Sequence, residues 1–206
     1  MKLTPSLMEF AYRRGYFPMP DPDTSDLIWF DPNPRAVFCF DMFHVSRSLR
    51  KFTKSSNYKV TMNMAFCDVV EACARPHETW INEQFKNVYL ELFQSGKAHS
   101  VEIWFEGQLI GGIFGLHFGK VFHGESMFSR KTNASKLALW VLVETLRRSE
   151  IEFLEVQFVT AHLKSMGVCS LSKEEYHDRL EALQDSKSKI DALYFSQAVE
   201  SVLNYS

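Results

Sequence analysis

The stretch Lys120 to Arg130, KVFHGESMFSR, sets a carboxylate inside an apolar run: Val121 and Phe122 precede His123-Gly124-Glu125-Ser126, and Met127 and Phe128 follow. An ionised Glu on an apolar surface needs a partner or a raised pKa, and groups of that kind collect at functional sites. The plainer reading is that strand alternation turns Glu125 to solvent. A second chemical signal is electrostatic. Between Arg35 and Val60, six basic residues (Arg35, Arg47, Arg50, Lys51, Lys54 and Lys59) stand against Asp41 alone, +5 in a chain whose total is −2. From Ser172 onward the balance is −3, so a polyanion is drawn to the first half of the chain; a basic helix is otherwise a solvated face. Cys39, Cys67, Cys73 and Cys169 are irregularly spaced and contain no CxxC pair, which points to reduced thiols and to neither a disulfide framework nor a zinc site.

Those residues need elements to hold them. Thr4 as N-cap, Pro5 at the first helical position and Gly15 as terminator predict a first helix carrying Leu7, Met8, Phe10 and Ala11. Turn-rich passages, Phe17 to Pro22 and Asp31 to Pro34, surround the apolar Leu27 to Phe30 and a strand-like Ala36 to Phe40, predicting a small sheet. A basic helix over Val45 to Thr53, a strand over Tyr58 to Met62 and a helix over Met64 to Ala74 capped by Asn63 follow. The break at Arg75-Pro76-His77-Glu78 divides the chain into a small N-terminal domain, 1–78, and a larger one, 79–206. In the second, Asn82 caps a helix to about Ser95, and strands over Ser100 to Glu106, Leu109 to Phe118 and Val121 to Phe128 form a meander with a Gly119-Lys120 hairpin turn. Asn133 caps a helix over Ala134 to Arg148 whose apolar residues are numerous enough to bury it. A strand over Phe153 to Phe158, a short helix from Thr160 and a helix opened by the Ser172/Glu175 capping box complete the order.

With 206 residues, 46% hydrophobic and 23% charged, the chain has the content of a soluble globular protein with a sizeable core. No apolar run approaches the roughly 20 residues of a membrane span, and MKLTPSLMEF lacks the apolar region of a signal peptide, so a cytoplasmic protein with no membrane partner is expected. The fold class expected is α+β: a small N-terminal α/β domain, then a mixed sheet flanked by helices of the N-acetyltransferase (GNAT) type. The residues opening the central helix, Ser129 to Lys136, include no glycine to admit a pyrophosphate, which argues against coenzyme A.

Several stretches are similar, in family order, to those of leucyl/phenylalanyl-tRNA-protein transferases: Ala11 to Pro18, Asp31 to Ala36, His44 to Ser48, Thr79-Trp80-Ile81, Ala98 to Glu102, Phe122 to Ser129, Asn133 to Lys136 and His162 to Gly167. The resemblance spans about Thr4 to Leu180. It implies an enzyme that moves Leu or Phe from Leu-tRNA or Phe-tRNA to proteins with an N-terminal Arg or Lys, marking them for the N-degron route, as a monomer and with no cofactor or metal. An aminoacyl ester is already activated, so such transfer needs alignment, removal of one proton and exclusion of water. The single-stranded tRNA end calls for aromatic rings and cations. Tyr12 and Trp80 suit stacking, the resemblance places Trp80 against the terminal adenosine, and Arg47, Arg50, Lys51 and Lys54 suit phosphates; a core Trp is the other reading of Trp80.

The resemblance also implies a donor pocket of Ile113, Phe122, Met127, Leu139, Leu142 and Leu154, with Glu125 gripping the donor α-ammonium. Glu155-Val156-Gln157 matches the family's functional Asp-x-Gln, and strand alternation puts Glu155 and Gln157 on one face, where the carboxylate orients the amide and its carbonyl meets the acceptor amine. A solvent-facing polar pair is the bland alternative. Three departures from the family pattern bear on rate and acceptor choice: Glu155 replaces Asp, an N-terminal passage of the GLLAxGGDL kind is expected to be missing, and Thr160-Ala161 stands where polar residues are commoner. A related transferase with another donor or acceptor, or a non-catalytic binder of tRNA or N-terminal peptides, are the competing functions.

Overall fold

The computed structural model describes residues 2–205 other than 22, 25, 56, 75–79 and 184, so the boundary expected over Arg75 to Glu78 lies outside the described residues. In chain order the elements are α1 (Pro5–Tyr12), β1 (Phe17–Pro20), β2 (Leu27–Phe30), β3 (Arg35–Phe38), α2 (Arg47–Lys54), β4 (Lys59–Met62), α3 (Phe66–Ala74), α4 (Glu83–Gln94), β5 (Ala98–Phe105), β6 (Gln108–Phe118) and β7 (Val121–Ser129). Then come α5 (Ala134–Arg148), β8 (Phe153–Glu155), α6 (Ala161–Lys164), β9 (Val168–Leu171), α7 (Lys173–Leu183) and α8 (Ala192–Leu203).

Seven strands form one mixed sheet in the order β4-β5-β6-β7-β8-β3-β9, an α+β architecture with helices on both faces. All neighbours are antiparallel except β7 and β8, which run parallel and are joined through α5. Parallel neighbours need such a crossover, and here the crossover is the most buried helix. Leu137 to Val143 and Leu146 of α5 are all buried, because one side meets Ile103, Ile113 and Phe122 of the sheet while Phe195, Val199 and Val202 of α8, together with Leu49 and Phe52 of α2, cover the rest. A helix whose middle is apolar around its circumference must be enclosed in this way, and the charged residues of α5, Lys136, Glu144, Arg147 and Arg148, lie toward its ends. The opposite face is packed by Met8 and Tyr12 of α1, Phe66 and Val69 of α3, and Phe85, Tyr89 and Leu92 of α4.

The small sheet is present with different members. It pairs β1 with β2, whereas β3, expected beside β2, enters the large sheet between β8 and β9. Pro18 and Pro20 of β1 are tolerated because each strand of a two-stranded sheet has a free edge, where a missing N–H costs nothing. Strand β3 is buried at all four residues, too apolar for a small exposed sheet. Strand β4 closes one edge of the large sheet against β5 and β9 closes the other, so strands from before residue 78 lie at one edge and one strand in from the other.

Candidate active site

Strand β7 carries one residue more than β6 pairs. Gly115 lies opposite Gly124 and Phe114 opposite Ser126, which leaves Glu125 as the extra residue of a β-bulge. The bulge changes the phase of alternation. Phe122 packs into the α5 side, Glu125 meets α1 and α4 on the other side, Ser126 bonds Cys73 of α3 there, and Met127 returns to the α5 side. Gly115 permits this geometry, since a Cβ on it would collide with the His123 carbonyl oxygen. Glu125 is therefore only 8% exposed, and its carboxylate accepts from the Tyr12 hydroxyl at 2.6 Å and the Tyr89 hydroxyl at 2.8 Å. Burial pushes its pKa up from 4.5 to about 7; the two hydroxyls pull it down and Glu155 adds to the rise. Burial and the carboxylate hold both tyrosines well above their ordinary values, so they stay protonated donors.

Strand β8 supplies the other half. Its pairing with β7 stops at His123 opposite Glu155, and beyond that rung the two parallel strands splay. Alternation placed Glu155 and Gln157 on one face of a continuing strand, and here the structure corrects the sequence. The strand ends at Glu155, the Val156 N–H donates to the Ala36 carbonyl at 2.9 Å, and Gln157 adopts left-handed backbone with φ 57°. Glu155 stabilises this turn by accepting the Gln157 N–H on Oε1 at 2.6 Å, so it orients Gln157 through the backbone rather than through the amide. The amide Nε2 then donates across the splay to the Gly124 carbonyl at 2.9 Å, in place of the next rung, while Oε1 has no donor among the described residues. Glu155 itself is fully buried between Arg35, whose Nη1 donates to Oε1 at 3.1 Å, and His123, whose Nδ1 lies 3.1 Å from Oε2. Burial pushes the Glu155 pKa up, but the His123 hydrogen bond and the Arg35 charge outweigh it and hold the carboxyl below its ordinary value. Burial lowers the His123 pKa by more than Glu155 restores, so a neutral imidazole donates from Nδ1.

Glu125 and Gln157 stand where two hollows meet. One, of about 160 Å³, runs under α5 and is lined by Ile113, Met127 and Leu139, three of the residues assigned to the donor pocket, together with Phe38, Gly124, Ser126, Val156 and Leu163. An aliphatic cavity of about 150 Å³ accepts benzene, so this one has the size for a leucine or phenylalanine side chain. Phe122, Leu142 and Leu154, assigned to the same pocket, are buried but do not line it. Phe122 and Leu154 face each other where β7 and β8 are still paired, and Leu142 lies three residues beyond Leu139 in α5. The second hollow, about 90 Å³, is walled by Phe17, Pro18, Met19, Trp80 and Phe158. Trp80 is half-buried, edge-on to Phe85 at 5.3 Å, and so is wall and core at once.

Tyr12 lines neither hollow. It is 3% exposed, so its ring is withdrawn from stacking on a base and its hydroxyl serves Glu125. Arg47, Arg50, Lys51 and Lys54 are exposed along α2, also outside both hollows, with Arg50 over the Tyr205 ring at 4.9 Å. A wider cleft of about 500 Å³ beside Arg13, Arg14 and Glu181 has no such convergence of an apolar pocket on buried polar groups. Sequence reasoning missed Tyr89, which lay hidden in the apolar stripe of α4, and gave Arg35 no site role beyond the basic cluster and the Asp31 to Ala36 resemblance. The signal for Arg35 was the same as for Glu125: a charge heading an apolar strand.

The family profile described as leucyl/phenylalanyl-tRNA protein transferase matches residues 37–181, and the profile of that family's N-terminal domain matches residues 1–33. The chain belongs to the leucyl/phenylalanyl-tRNA protein transferase family. A curated member from Rhodospirillum rubrum is 45% identical over 185 residues, 87% of each chain. Another, from Paramagnetospirillum magneticum, is 46% identical over 184 residues, covering 86% of this chain and 88% of its own. Both carry the name leucyl/phenylalanyl-tRNA–protein transferase. Among solved structures, a ribosomal-protein-alanine N-acetyltransferase from Brucella melitensis aligns at 11% identity and TM-score 0.39 over 52% of this chain and 87% of its own. L-PGS from Bacillus licheniformis aligns at 13% identity and TM-score 0.42 over 96% and 69%.

Proposed function

We propose that this member of the leucyl/phenylalanyl-tRNA protein transferase family moves leucine or phenylalanine from its tRNA to the N-terminal arginine or lysine of an acceptor protein, tagging it for degradation. The observation that carries the reading is the meeting of a benzyl-sized apolar hollow and an aromatic hollow at one carboxylate and one amide, Glu125 and Gln157. The donor side chain fills the first hollow, and the terminal adenosine rests against Trp80 in the second. Glu125, titrating near neutrality, grips the donor α-ammonium. The acceptor amine donates to the open Oε1 of Gln157, which aims its lone pair at the ester carbonyl. Attack forms the C–N bond and breaks the bond from the carbonyl carbon to the ribose oxygen; the amine proton ends on that oxygen, giving an amide and a free hydroxyl. An amide carbonyl accepts a hydrogen bond without keeping a proton, so Gln157 orients the amine while the leaving oxygen takes the proton.

Residues 1–78 supply the tRNA-facing charge, with Arg47, Arg50, Lys51 and Lys54 on phosphates, and residues 79–206 hold most of the reacting site, in a monomer acting in the cytoplasm. The test is to offer separately charged Leu-, Phe- and Met-tRNA with peptides that differ only in their first residue, to the parent and to Gln157→Ala. The parent should transfer Leu and Phe to Arg- and Lys-peptides. Gln157→Ala should bind charged tRNA normally and lose on the order of 10²-fold in single-turnover rate. A folded Gln157→Ala that transfers at the parent's rate removes Gln157 from the reaction.

A further inference from the structure

Arg35 is buried to 1% and bonded in two directions. Its Nη1 donates to Glu155 Oε1 at 3.1 Å, while Nη2 donates to the Gly15 carbonyl and, at 3.3 Å, to Asp31 Oδ1. Asp31 is itself satisfied from α7, by Lys173 at 2.6 Å and His177 at 3.2 Å, so the guanidinium is not consumed by that one carboxylate. Each of its two other bonds leads to the reacting centre. Glu155 Oε1 is the same oxygen that accepts the Gln157 N–H. Gly15, with φ 79°, closes α1 three residues after Tyr12, and Tyr12 holds Glu125. His123 fills the space between the two arms, with Nδ1 on Glu155 and its ring edge-on to Tyr12 at 4.8 Å.

We propose that Arg35 is a positioning residue for the transfer reaction: by bonding Glu155 and the end of α1 at once, its guanidinium fixes the separation between Gln157 and Glu125. The inference rests on the reading of Gln157 and Glu125 as the groups that meet the substrate. A planar fork holds two acceptors at a set angle, and a lysine ammonium, a point charge on a flexible stem, does not. Glu155 is one methylene longer than the family's usual Asp, and the buried arginine locates the carboxylate that this extra length would otherwise leave free to swing. An ion pair that served the fold alone would be replaceable by any pair that keeps the interior satisfied. One that sets an angle at the reacting centre is not.

Two variants separate these roles. Arg35→Lys keeps the charge and loses the fork; Arg35→Met combined with Glu155→Gln removes both buried charges together. Thermal melting, affinity for Phe-tRNA, and single-turnover transfer to an Arg-peptide over a range of peptide concentrations are measured for each. Both should bind Phe-tRNA as the parent does, and both should lose on the order of 10²-fold in kcat with little change in acceptor KM, the effect of a misplaced group. The double variant should melt no lower than Arg35→Lys while remaining slow. Parent-like kcat in either folded variant overturns the proposal, and so does a rate loss that is matched by an equal loss of Phe-tRNA affinity. Should Arg35→Lys fail to fold, parent-like kcat in the double variant still overturns the proposal. Gln157→Ala run alongside shows which claim fails: if it transfers normally the underlying assignment is wrong, and if it is inactive while the Arg35 variants are fast, only the role of Arg35 falls.

Discussion

Glu125 is a carboxylate in the folded protein whose pKa lies above its unfolded value, and the sign of that difference has a measurable effect on stability. Between 4.5 and about 7 the folded state binds the proton that the unfolded state has released, so this group's contribution to stability falls as pH rises through that window and stays low above it. The full difference is worth about 3 kcal/mol. Glu125→Gln keeps an acceptor for one tyrosine and cannot titrate. Its stability relative to the parent should therefore improve by about that amount between pH 4.5 and pH 8, measured by urea unfolding across the range. A difference that does not vary with pH would show that Glu125 does not titrate there. Histidines lowered by burial, such as His99 and His123, work in the opposite direction, but they are common to both proteins and drop out of the comparison. That Glu125 sits in an apolar setting and needs partners was legible from its neighbours. Its partners were not, because Tyr12 and Tyr89 come from helices 113 and 36 residues away in the chain. Gln157 was legible as a residue and misread as geometry, since nothing in Glu-Val-Gln announces a left-handed turn.

At the level of elements, the bulge in β7 is the device that brings Glu125 and Met127 to opposite faces of the sheet. It depends on a close approach that only glycine allows at 115. Gly115→Ala should therefore cost about 1–3 kcal/mol, the scale of overpacking, and should slow transfer further as the bulge shifts and Glu125 moves. Equilibrium unfolding together with single-turnover rates would show it; unchanged stability would mean that the strands relax around the new methyl without strain. Three helix starts were readable from their caps: Thr4 accepts the Leu7 N–H, Asn82 the Phe85 N–H, and Ser172 and Glu175 cap each other; the caps Ser46 of α2 and Asp191 of α8 were not read. Two other asparagines misled. Asn133 sits at the start of α5 in left-handed backbone with no capping bond, and Asn63 turns its side chain to the Ser100 N–H while α3 begins at Phe66. Strand β9 is four residues long and α8 carries a broad apolar face near the end of the chain. Neither is decided locally: β9 exists because β3 offers it an edge, and α8 because α5 offers an uncovered side.

For the whole molecule, charge is the property read most directly from the sequence. Arg47, Arg50, Lys51 and Lys54 are all exposed on α2, while the last 35 residues are net acidic, so an approaching polyanion meets a polarised surface. If α2 meets phosphates, the logarithm of affinity for charged tRNA should fall steeply with the logarithm of salt concentration. Lys51→Gln with Lys54→Gln should flatten that slope by roughly 1 to 2, with Arg50 left in place for its packing on Tyr205. An unchanged slope would move the phosphate contacts to another face.

The strand order also sets a schedule. Strand β3 finds its neighbours only in β8 and β9, so about 116 residues separate its end, Phe38, from Leu154, the first residue that pairs with it. At 5–20 residues per second, a ribosome leaves β3 waiting for roughly 6–23 s after its own synthesis. Throughout that interval Glu155, which accepts from Arg35 in the folded protein, has not been made. The two hollows cannot exist yet, because Phe38 and Val156 line the first and Phe158 walls the second. Any nascent chain stopped before residue 155 thus carries an apolar strand whose two neighbours in the sheet are missing or incomplete.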